Sequence, residues 1–158
     1  MGTLTVDNLN VNSTATISSG VGKVLQVQSA FKSDTDSTTS TSDVAISGLS
    51  LTLTPASASN KVLVQFDVGT MGNNYNAHMF FTVYRSIGGG GYSAIGVGTG
   101  GGSYNYGAGS YAANSYYHTV GHCFLDSPNT TSEITYKLYF RGSIDCCIYR
   151  WFWTLNIF

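Results

Sequence analysis

The chain has 158 residues and a formal net charge of −1, and only 9% of its residues are charged. This length suffices for one domain with one hydrophobic core. The weak charge excludes the basic surface through which proteins bind nucleic acids or anionic membranes, so we expect neither as a partner. The sequence contains no 18-residue apolar run and does not begin like a secretory leader. We therefore expect synthesis in a cytoplasm and no membrane insertion.

Residues 1–20 differ from the rest of the chain. Two short apolar pairs lie on either side of the turn-forming Asp7-Asn8, and they are too short to build a core. We therefore expect an extended N-terminal segment that is ordered only by contact with other chains, followed by one folded domain over residues 21–158. The side chains that would make those contacts are Leu4, Val6, Leu9 and Val11.

The first strands of the domain are predicted from alternating side chains. Val24–Phe31 is a strand candidate, and residues 33–42 contain no apolar side chain, which is typical of a solvated loop. From Val44 to Leu53 the apolar residues change parity at Gly48. This change predicts a bulge or bend at Gly48 that restores a common inward face, and Pro55 ends the strand.

Four later segments also have strand patterns. Residues 62–68 and 134–140 alternate strictly between inward apolar and outward residues, which predicts strands with one face in the core. Residues 77–85 and 147–158 are apolar or aromatic on both faces. Strands of that kind lie either centrally between two sheets or at a subunit interface. The outward residues that we assign to a subunit interface are Phe80, Tyr84, Phe152 and Phe158.

These patterns together predict an all-β fold. About eight strands with turn signals at short spacing, and no helical period, favour an antiparallel jelly-roll sandwich. The strands that are apolar on both faces favour a homo-oligomer.

Residues 86–115 are rich in glycine and tyrosine. They hold eleven of the nineteen glycines, so we expect one long loop or a pair of loops with little to bury. Tyrosine supplies contact area at low entropic cost, and glycine and serine let a loop adapt, as in antibody binding sites. We expect receptor or partner contacts through Tyr92, Tyr104, Tyr106 and Tyr111.

Histidines and cysteines do not indicate a metal site. His118 and His122 share one strand parity but lie about 13 Å apart along a strand, too far for one shared ion, although one of them could meet its own copies on a threefold axis. Otherwise they are ordinary polar residues beneath the tyrosine-rich loop or at the interface. Cys123 and the adjacent Cys146-Cys147 lack the spacing of a zinc site, and we expect them to be reduced and buried.

The remaining motifs offer little chemistry, and we expect no catalytic residue, no metal and no cofactor. Gly96-x-Gly98-x-x-Gly101 matches a dinucleotide-binding string, but it follows no strand-to-helix unit. Asp34 and Asp36 could bind a hard cation, although two carboxylates in a loop are more often only solvated. A glycosidase needs two carboxylates about 5 to 9.5 Å apart in a cleft. The acidic candidates Asp126, Glu133 and Asp145 form no supported pair, so we do not expect an enzyme.

Several stretches carry a resemblance to a known family. Thr3–Val11 reads TLTVDNLNV, Gly22–Val27 reads GKVLQV, and Leu51–Pro55 (LTLTP) precedes Asn60–Val64 (NKVLV). These stretches resemble the C-terminal jelly-roll domains of bacteriophage tail fibres, in particular those of phages of marine bacteria. The resemblance covers residues 3–141 and implies a TNF-like homotrimer with the fibre axis on its threefold. The ending from Cys146 to Trp153 departs from the pattern, and residues 1–19 contain no long shaft.

The function that this resemblance implies is structural. We expect a virion protein, a trimeric tail fibre or fibre tip, which attaches to other virion proteins through residues 1–20. The loop of residues 86–115 would contact a glycan or protein of the host surface. A capsid decoration protein or head fibre is the alternative within the same class. A free lectin-like sugar-binding module is the alternative outside it, and such a module would have no use for the N-terminal apolar pairs.

Overall fold

The computed structural model describes residues 24–71, 77–98, 106–112, 118–143 and 153–158. Within these ranges the chain forms strands and no helix, so the predicted all-β class is confirmed. No helix among these residues is long and apolar enough to cross a membrane. The strands are β1 (Gln28–Lys32), β2 (Val44–Leu53), β3 (Val62–Met71), β4 (Ala77–Ile87), β5 (Ser93–Ile95), β6 (Ala108–Ala112), β7 (His118–Asp126), β8 (Ile134–Gly142) and β9 (Trp153–Ile157).

The strands form two antiparallel sheets. Sheet A has the order β1-β9-β3-β7, and sheet B has the order β2-β8-β4-β5, with β6 also pairing with β4. Every pairing between the described strands is antiparallel. Side chains from both sheets meet in a single hydrophobic core, which is the usual way for two amphipathic sheets to hide their apolar faces.

The inward faces follow the alternation of the sequence. The apolar residues of 62–68 and 134–140 that share one parity are all buried, as predicted. The same holds for one face of β4 and for the described part of the last strand. The buried residues of these four strands are Val62, Val64, Phe66, Val68, Met79, Phe81, Val83, Ile134, Tyr136, Leu138, Phe140, Trp153, Leu155 and Ile157.

The bulge predicted in the second strand is confirmed. The register between β2 and β8 shifts between Ala45 and Ser50, and Gly48 has a φ of +81°. A residue with a side chain rarely adopts this left-handed conformation, whereas glycine does so without steric cost. As a result Ile46 and Leu49 both point into the core. Val44 differs from the parity prediction, because it is exposed beyond the bulge.

Two segments differ from the predicted boundaries. The first strand begins at Gln28 and not at Val24, and the residues before it are largely exposed. Residues 86–115 are not only loop, because they contain β5 and β6, which both pair with the edge of β4. Backbone N–H and C=O groups on a free strand edge can pair with any extended segment. The small residues of this stretch therefore form strands mainly through backbone pairing, and Ile95 of β5 and Ala108 of β6 also pack against the core.

The strand β4 lies inside sheet B, and the chain itself buries residues on both of its faces. It has β8 on one side and β5 and β6 on the other. Its outward residue Phe80 is only 5% exposed in the single chain. The prediction that Phe80 becomes buried only in an oligomer is therefore wrong, because the chain itself covers the ring. Phe152, Cys146-Cys147 and the N-terminal Leu4, Val6, Leu9 and Val11 lie outside the described residues.

Candidate functional site

Aromatic and charged side chains gather on the outer face of sheet B. Successive side chains of a strand point to opposite faces, so the residues of β4 and β8 that alternate with core residues point outward. The register places Thr82 opposite Tyr139 and Tyr84 opposite Lys137. We call this surface the aromatic face, and it consists of Asp43, His78, Phe80, Tyr84, Tyr92, Tyr106, Lys137, Tyr139 and Arg141.

One end of the aromatic face is built around Phe80. Its ring lies 4.4 Å from the ring of Tyr106 and stacks on His78 at 5.8 Å, measured between ring centroids. The guanidinium of Arg141 lies 5.0 Å from the centroid of the same ring. Tyr106 is half-buried by these contacts, so this part of the face is well packed.

The other end of the aromatic face consists of three tyrosines. The rings of Tyr84 and Tyr139 are 4.2 Å apart, and the rings of Tyr139 and Tyr92 are 6.4 Å apart. The Tyr139–Tyr92 spacing falls in the range in which aromatic pairs attract each other beyond simple burial, and the Tyr84–Tyr139 pair is closer still. Tyr92 is 38% exposed and is the outermost ring. This end therefore presents ring surface to solvent.

Asp43 contacts one residue from each end of the aromatic face. Its carboxylate accepts a hydrogen bond of 2.6 Å from the Tyr84 hydroxyl and one of 3.2 Å from Arg141 Nη1. The pKa of Tyr84 is raised to about 12, mainly because the side chain is buried and also because its hydroxyl donates a hydrogen bond to Asp43. The negative charge of Asp43 is thus compensated within the aromatic face, because the Arg141 guanidinium and the Tyr84 hydroxyl both contact the carboxylate.

Lys137 stands at the edge of the tyrosine end. Its Nζ lies 4.7 Å from the centroid of the Tyr92 ring, in a cation–π contact. Among the residues that the structure describes, Lys137 has no hydrogen bond or ion pair to an oxygen of the protein. Lys32, Arg85 and Arg141 each contact a carboxylate, and Lys61 donates to the hydroxyl of Ser127. The three N–H groups of Lys137 remain available to a ligand.

The predicted site residues fall into separate places. Tyr92 and Tyr106 lie on the aromatic face, together with Phe80 and Tyr84, which were predicted for the subunit interface. Tyr111 belongs to β6, where its backbone pairs with His78, and so it lies in a strand and not in a loop. Tyr104 lies outside the described residues. Two of the four predicted receptor residues, Tyr92 and Tyr106, thus share one surface with two of the four predicted interface residues.

Sequence reasoning missed four residues of this surface. Lys137, Tyr139 and Arg141 alternate with the core residues of β8, so their shared parity could have placed them together on one outer face. No local signal places Tyr92 or Asp43 beside them. Those two residues lie in loops. The loops come close to β8 only because the strands of sheet B are not arranged in sequential order.

A second surface lies beside the outer face of sheet A. Leu63 pairs with Leu125 of β7 on one side, and it exchanges backbone hydrogen bonds of 3.1 and 3.0 Å with Phe158 on the other. Val24 and Leu25 close the surface, which encloses a groove of about 400 Å³. Leu125 is 62% exposed. We call this surface the apolar groove, and Phe158 is the one predicted interface residue that it contains.

The other candidate side chains have partners within the chain or lie on the surface. The ring of His122 packs on Phe124, and its Nε2 lies 3.1 Å from the carbonyl of Gly96, so it sits beneath the glycine-rich stretch. His118 pairs with Met71 through the backbone. Cys123 is a free cysteine on the outer face of sheet A, and the prediction that it is buried is wrong because its side chain points away from the core.

The acidic candidates also have local partners. Asp34 pairs with Lys32 at 2.8 Å, and Asp36 accepts hydrogen bonds from backbone N–H groups. Asp126 is buried and bound by Arg85 and Tyr136, Glu133 is exposed, and Asp145 lies outside the described residues. In the described part of the chain no three His, Cys, Asp or Glu side chains form a group that could hold a metal ion.

The comparisons with known proteins add no family. No protein-family model matches the chain, and a search of curated proteins found no match either.

Proposed function

We propose that this chain is a jelly-roll subunit of a homotrimeric bacteriophage fibre or fibre tip. The strand pairing supports the jelly roll. The first strand pairs with the last, β2 pairs with β8, β3 pairs with β7, and β4 pairs with β5 and β6. A long antiparallel hairpin that folds over on itself produces this nested pairing, and its two sheets then pack face to face.

The observation that carries the proposal is the separation of two unlike surfaces. The apolar groove lies beside the outer face of sheet A, whereas the aromatic face is the outer face of sheet B. A protein that must both assemble and recognise needs two such surfaces. In the proposed fibre the apolar groove joins subunits, and the aromatic face remains outside for contact with the host.

The apolar groove has the composition of an assembly surface. Contiguous exposed apolar side chains cost free energy in water, and on soluble proteins they usually mark interaction sites. Most of the large exposed apolar side chains belong to sheet A or to the residues leading into it: Val24, Leu25, Val27, Phe31, Leu63, Leu125 and Phe158. A second copy of the chain would cover them. This assignment replaces Phe80 and Tyr84 as interface residues and keeps Phe158.

The aromatic face has the composition of a recognition surface. Tyrosine and arginine are enriched in binding sites because they combine large contact area with hydrogen bonding. Tyr92, Tyr106 and Tyr139 supply that area here, and Arg141 and Lys137 supply charge. Residues 1–20 would attach the subunit to other virion proteins.

Light scattering tests the assembly step. Leu125→Asp places a charge in the apolar groove at an exposed position, so the single domain should still fold. We expect wild-type protein with the mass of a trimer and the variant with the mass of a folded monomer. Thr52→Asp introduces the same charge at an exposed position of sheet B and should remain trimeric. A wild-type protein that is a folded monomer at micromolar concentration would contradict the proposal.

The virion role requires a test on particles. A phage whose copy of this chain lacks residues 1–20 should assemble without the protein, whereas a free sugar-binding module would keep its binding activity after the same deletion. A cryo-EM map of the particle would separate a tail fibre from a head fibre or a capsid decoration protein. Tyr92→Ser should reduce adsorption to host cells without loss of the protein from the particle.

A further inference from the structure

We propose that Lys137, Tyr92 and Tyr139 form a subsite for an acidic sugar, that is, a pyranose bearing a carboxylate or a sulfate. The anionic group would accept hydrogen bonds from the ammonium of Lys137. The apolar face of the sugar ring would rest on the exposed tyrosine surface. This inference rests on the proposed recognition role of the aromatic face and names the chemistry of its ligand.

The first support is that Lys137 has no anionic partner among the described residues. Lys137 is half-buried against the Tyr92 ring, with Nζ 4.7 Å from the ring centroid. A lysine side chain that lies over a ring has already lost part of its conformational freedom. Binding of an anion therefore costs less conformational entropy than it would at a freely moving lysine. Hydrogen bonds from an ammonium to an anionic oxygen are about twice as strong as neutral ones. The position is therefore prepared for a negative charge.

The second support is the local charge balance. On the aromatic face the only carboxylate among the described residues is Asp43, and Arg141 and the Tyr84 hydroxyl both contact it. The strand neighbours of Lys137 are Ser50 and Tyr84, which are uncharged. An anion at Lys137 therefore meets one free positive charge and no uncompensated negative one. A single cation suits one carboxylate or sulfate and not a polyanion, which would need a broad basic patch.

The third support is the arrangement of rings beside the cation. Tyr92 is 38% exposed, and its ring centroid lies 6.4 Å from that of the half-buried Tyr139. Tyr139 is in turn held against Tyr84 at 4.2 Å. A fixed pair of partly exposed rings offers an apolar platform whose hydroxyl groups can also hydrogen-bond. Sugars have both an apolar ring face and hydroxyl groups, and so they fit such a platform.

The first experiment is a glycan array probed with the full-length protein. We expect binding to glycans that contain uronic acids, sialic acids or sulfated sugars, and no binding to their neutral counterparts. Titration with three galactose oligomers that carry one galacturonate residue, one sulfate group or no acidic group then distinguishes carboxylate from sulfate on a related backbone. Binding to either of the two acidic probes supports the inference, whereas equal binding to the neutral oligomer overturns it.

Variants test the assignment of residues. Lys137→Gln and Tyr92→Ser should each weaken binding of the acidic probe by at least about tenfold, because each removes a main contact. Lys137→Arg keeps the charge and should retain most of the binding. Lys32→Gln is the matched control, because Lys32 lies in β1 of sheet A and pairs with Asp34 at 2.8 Å, and it should leave binding unchanged. Equal loss for Lys32→Gln and Lys137→Gln would overturn the subsite.

Failure of this inference differs from failure of the proposed function. If the array shows no acidic glycan, or if Lys137→Gln adsorbs like wild type while Tyr92→Ser does not, the recognition role remains and the acidic subsite is wrong. If no variant of the aromatic face changes adsorption to the host, the recognition role itself is wrong.

Discussion

Arg85 of sheet B and Asp126 of sheet A join the two sheets through an ion pair. Arg85 Nη1 donates to both carboxylate oxygens of Asp126, at 2.6 and 2.8 Å. The Tyr136 hydroxyl, from a fully buried side chain, donates to the same carboxylate at 2.8 Å. Asp126, considered above as a possible catalytic acid, is thus held within the sandwich by three hydrogen bonds.

Removal of the Asp126 charge should destabilise the fold. In Asp126→Asn the largely buried guanidinium of Arg85 keeps its charge and loses its counterion, which costs about 3 kcal/mol or more in comparable buried pairs. Urea unfolding at neutral pH should show this loss. The control is Asp34→Asn, which breaks the pair with Lys32 at an exposed carboxylate and should leave the urea midpoint unchanged. Equal midpoints for the two variants would contradict the structural role of Asp126.

Alkaline pH should weaken the fold through Tyr84. Its folded-state pKa is raised from the ordinary value of 10.0 to about 12, so the folded protein holds this proton more tightly than the unfolded chain does. The resulting stability is fully present below pH 10 and is lost as the pH rises through 12. Burial also raises the pKa of Tyr136, which adds a loss in the same direction.

Urea titrations between pH 9 and pH 12 measure this effect. The free energy of unfolding should fall over that range in the wild-type protein. In Tyr84→Phe the fall should be shallower, because the variant has no proton to lose at that position. A fall of equal steepness in both proteins would mean that Tyr84 is not responsible.

Gly96 should not tolerate a side chain. It has a φ of +64°, and a Cβ at this position would lie 2.5 Å from the ring of Phe124. The left-handed conformation alone costs about 1–2 kcal/mol for alanine, and the contact with the ring adds to it. Gly96→Ala should therefore lower the melting temperature by several degrees.

The matched control for Gly96 is a neighbouring glycine. A Cβ at Gly98 would meet nothing within 4 Å of the described atoms, so Gly98→Ala should melt like wild type. Adding Phe124→Ala to Gly96→Ala should cost less than the sum of the single changes, because the two sites share one contact. Strict additivity would show that the ring does not restrict this position.

Thr82 carries a buried hydroxyl that can be replaced. Its Oγ1 is fully buried on the outward side of β4 and has no hydrogen-bond partner among the described residues. A buried hydroxyl without a partner costs free energy, so Thr82→Val should raise the unfolding free energy by about 1 kcal/mol. Thr82→Ser, which keeps the hydroxyl and deletes the methyl group, should lower it. A less stable Thr82→Val would reveal a partner elsewhere in the chain.

The sequence predicted the elements whose side chains alternate strictly. Residues 62–68 and 134–140 face the core as expected, because one apolar face of period two can be buried in only one orientation. The bulge at Gly48 was also predictable, since the apolar residues on its two sides have opposite parity. The strands β5 and β6 were not, because most of their residues are too small to produce a hydrophobic pattern, although Ile95 and Ala108 pack against the core.

The burial of Phe80 within the single chain could not be predicted from the alternation of side chains. Its position on the outward face of β4 was predicted correctly, but the neighbour that covers it was not. Tyr106 reaches its ring at 4.4 Å, from a stretch that the sequence indicates only as loop. An aromatic residue on the outward face of a strand can be covered either by a partner chain or by a distant part of the same chain, and the pattern is the same in both cases. Only the folded structure distinguishes them.

The sequence by itself determined the all-β class and the inward face of the main strands, because burial of apolar side chains follows directly from their spacing along the chain. The tertiary structure alone decided which strands are neighbours. Backbone hydrogen bonds are alike for nearly every residue, so strand order leaves little trace in local sequence. That order brings Lys137 and Tyr92 together although they are 45 residues apart in the chain. It thereby creates the aromatic face.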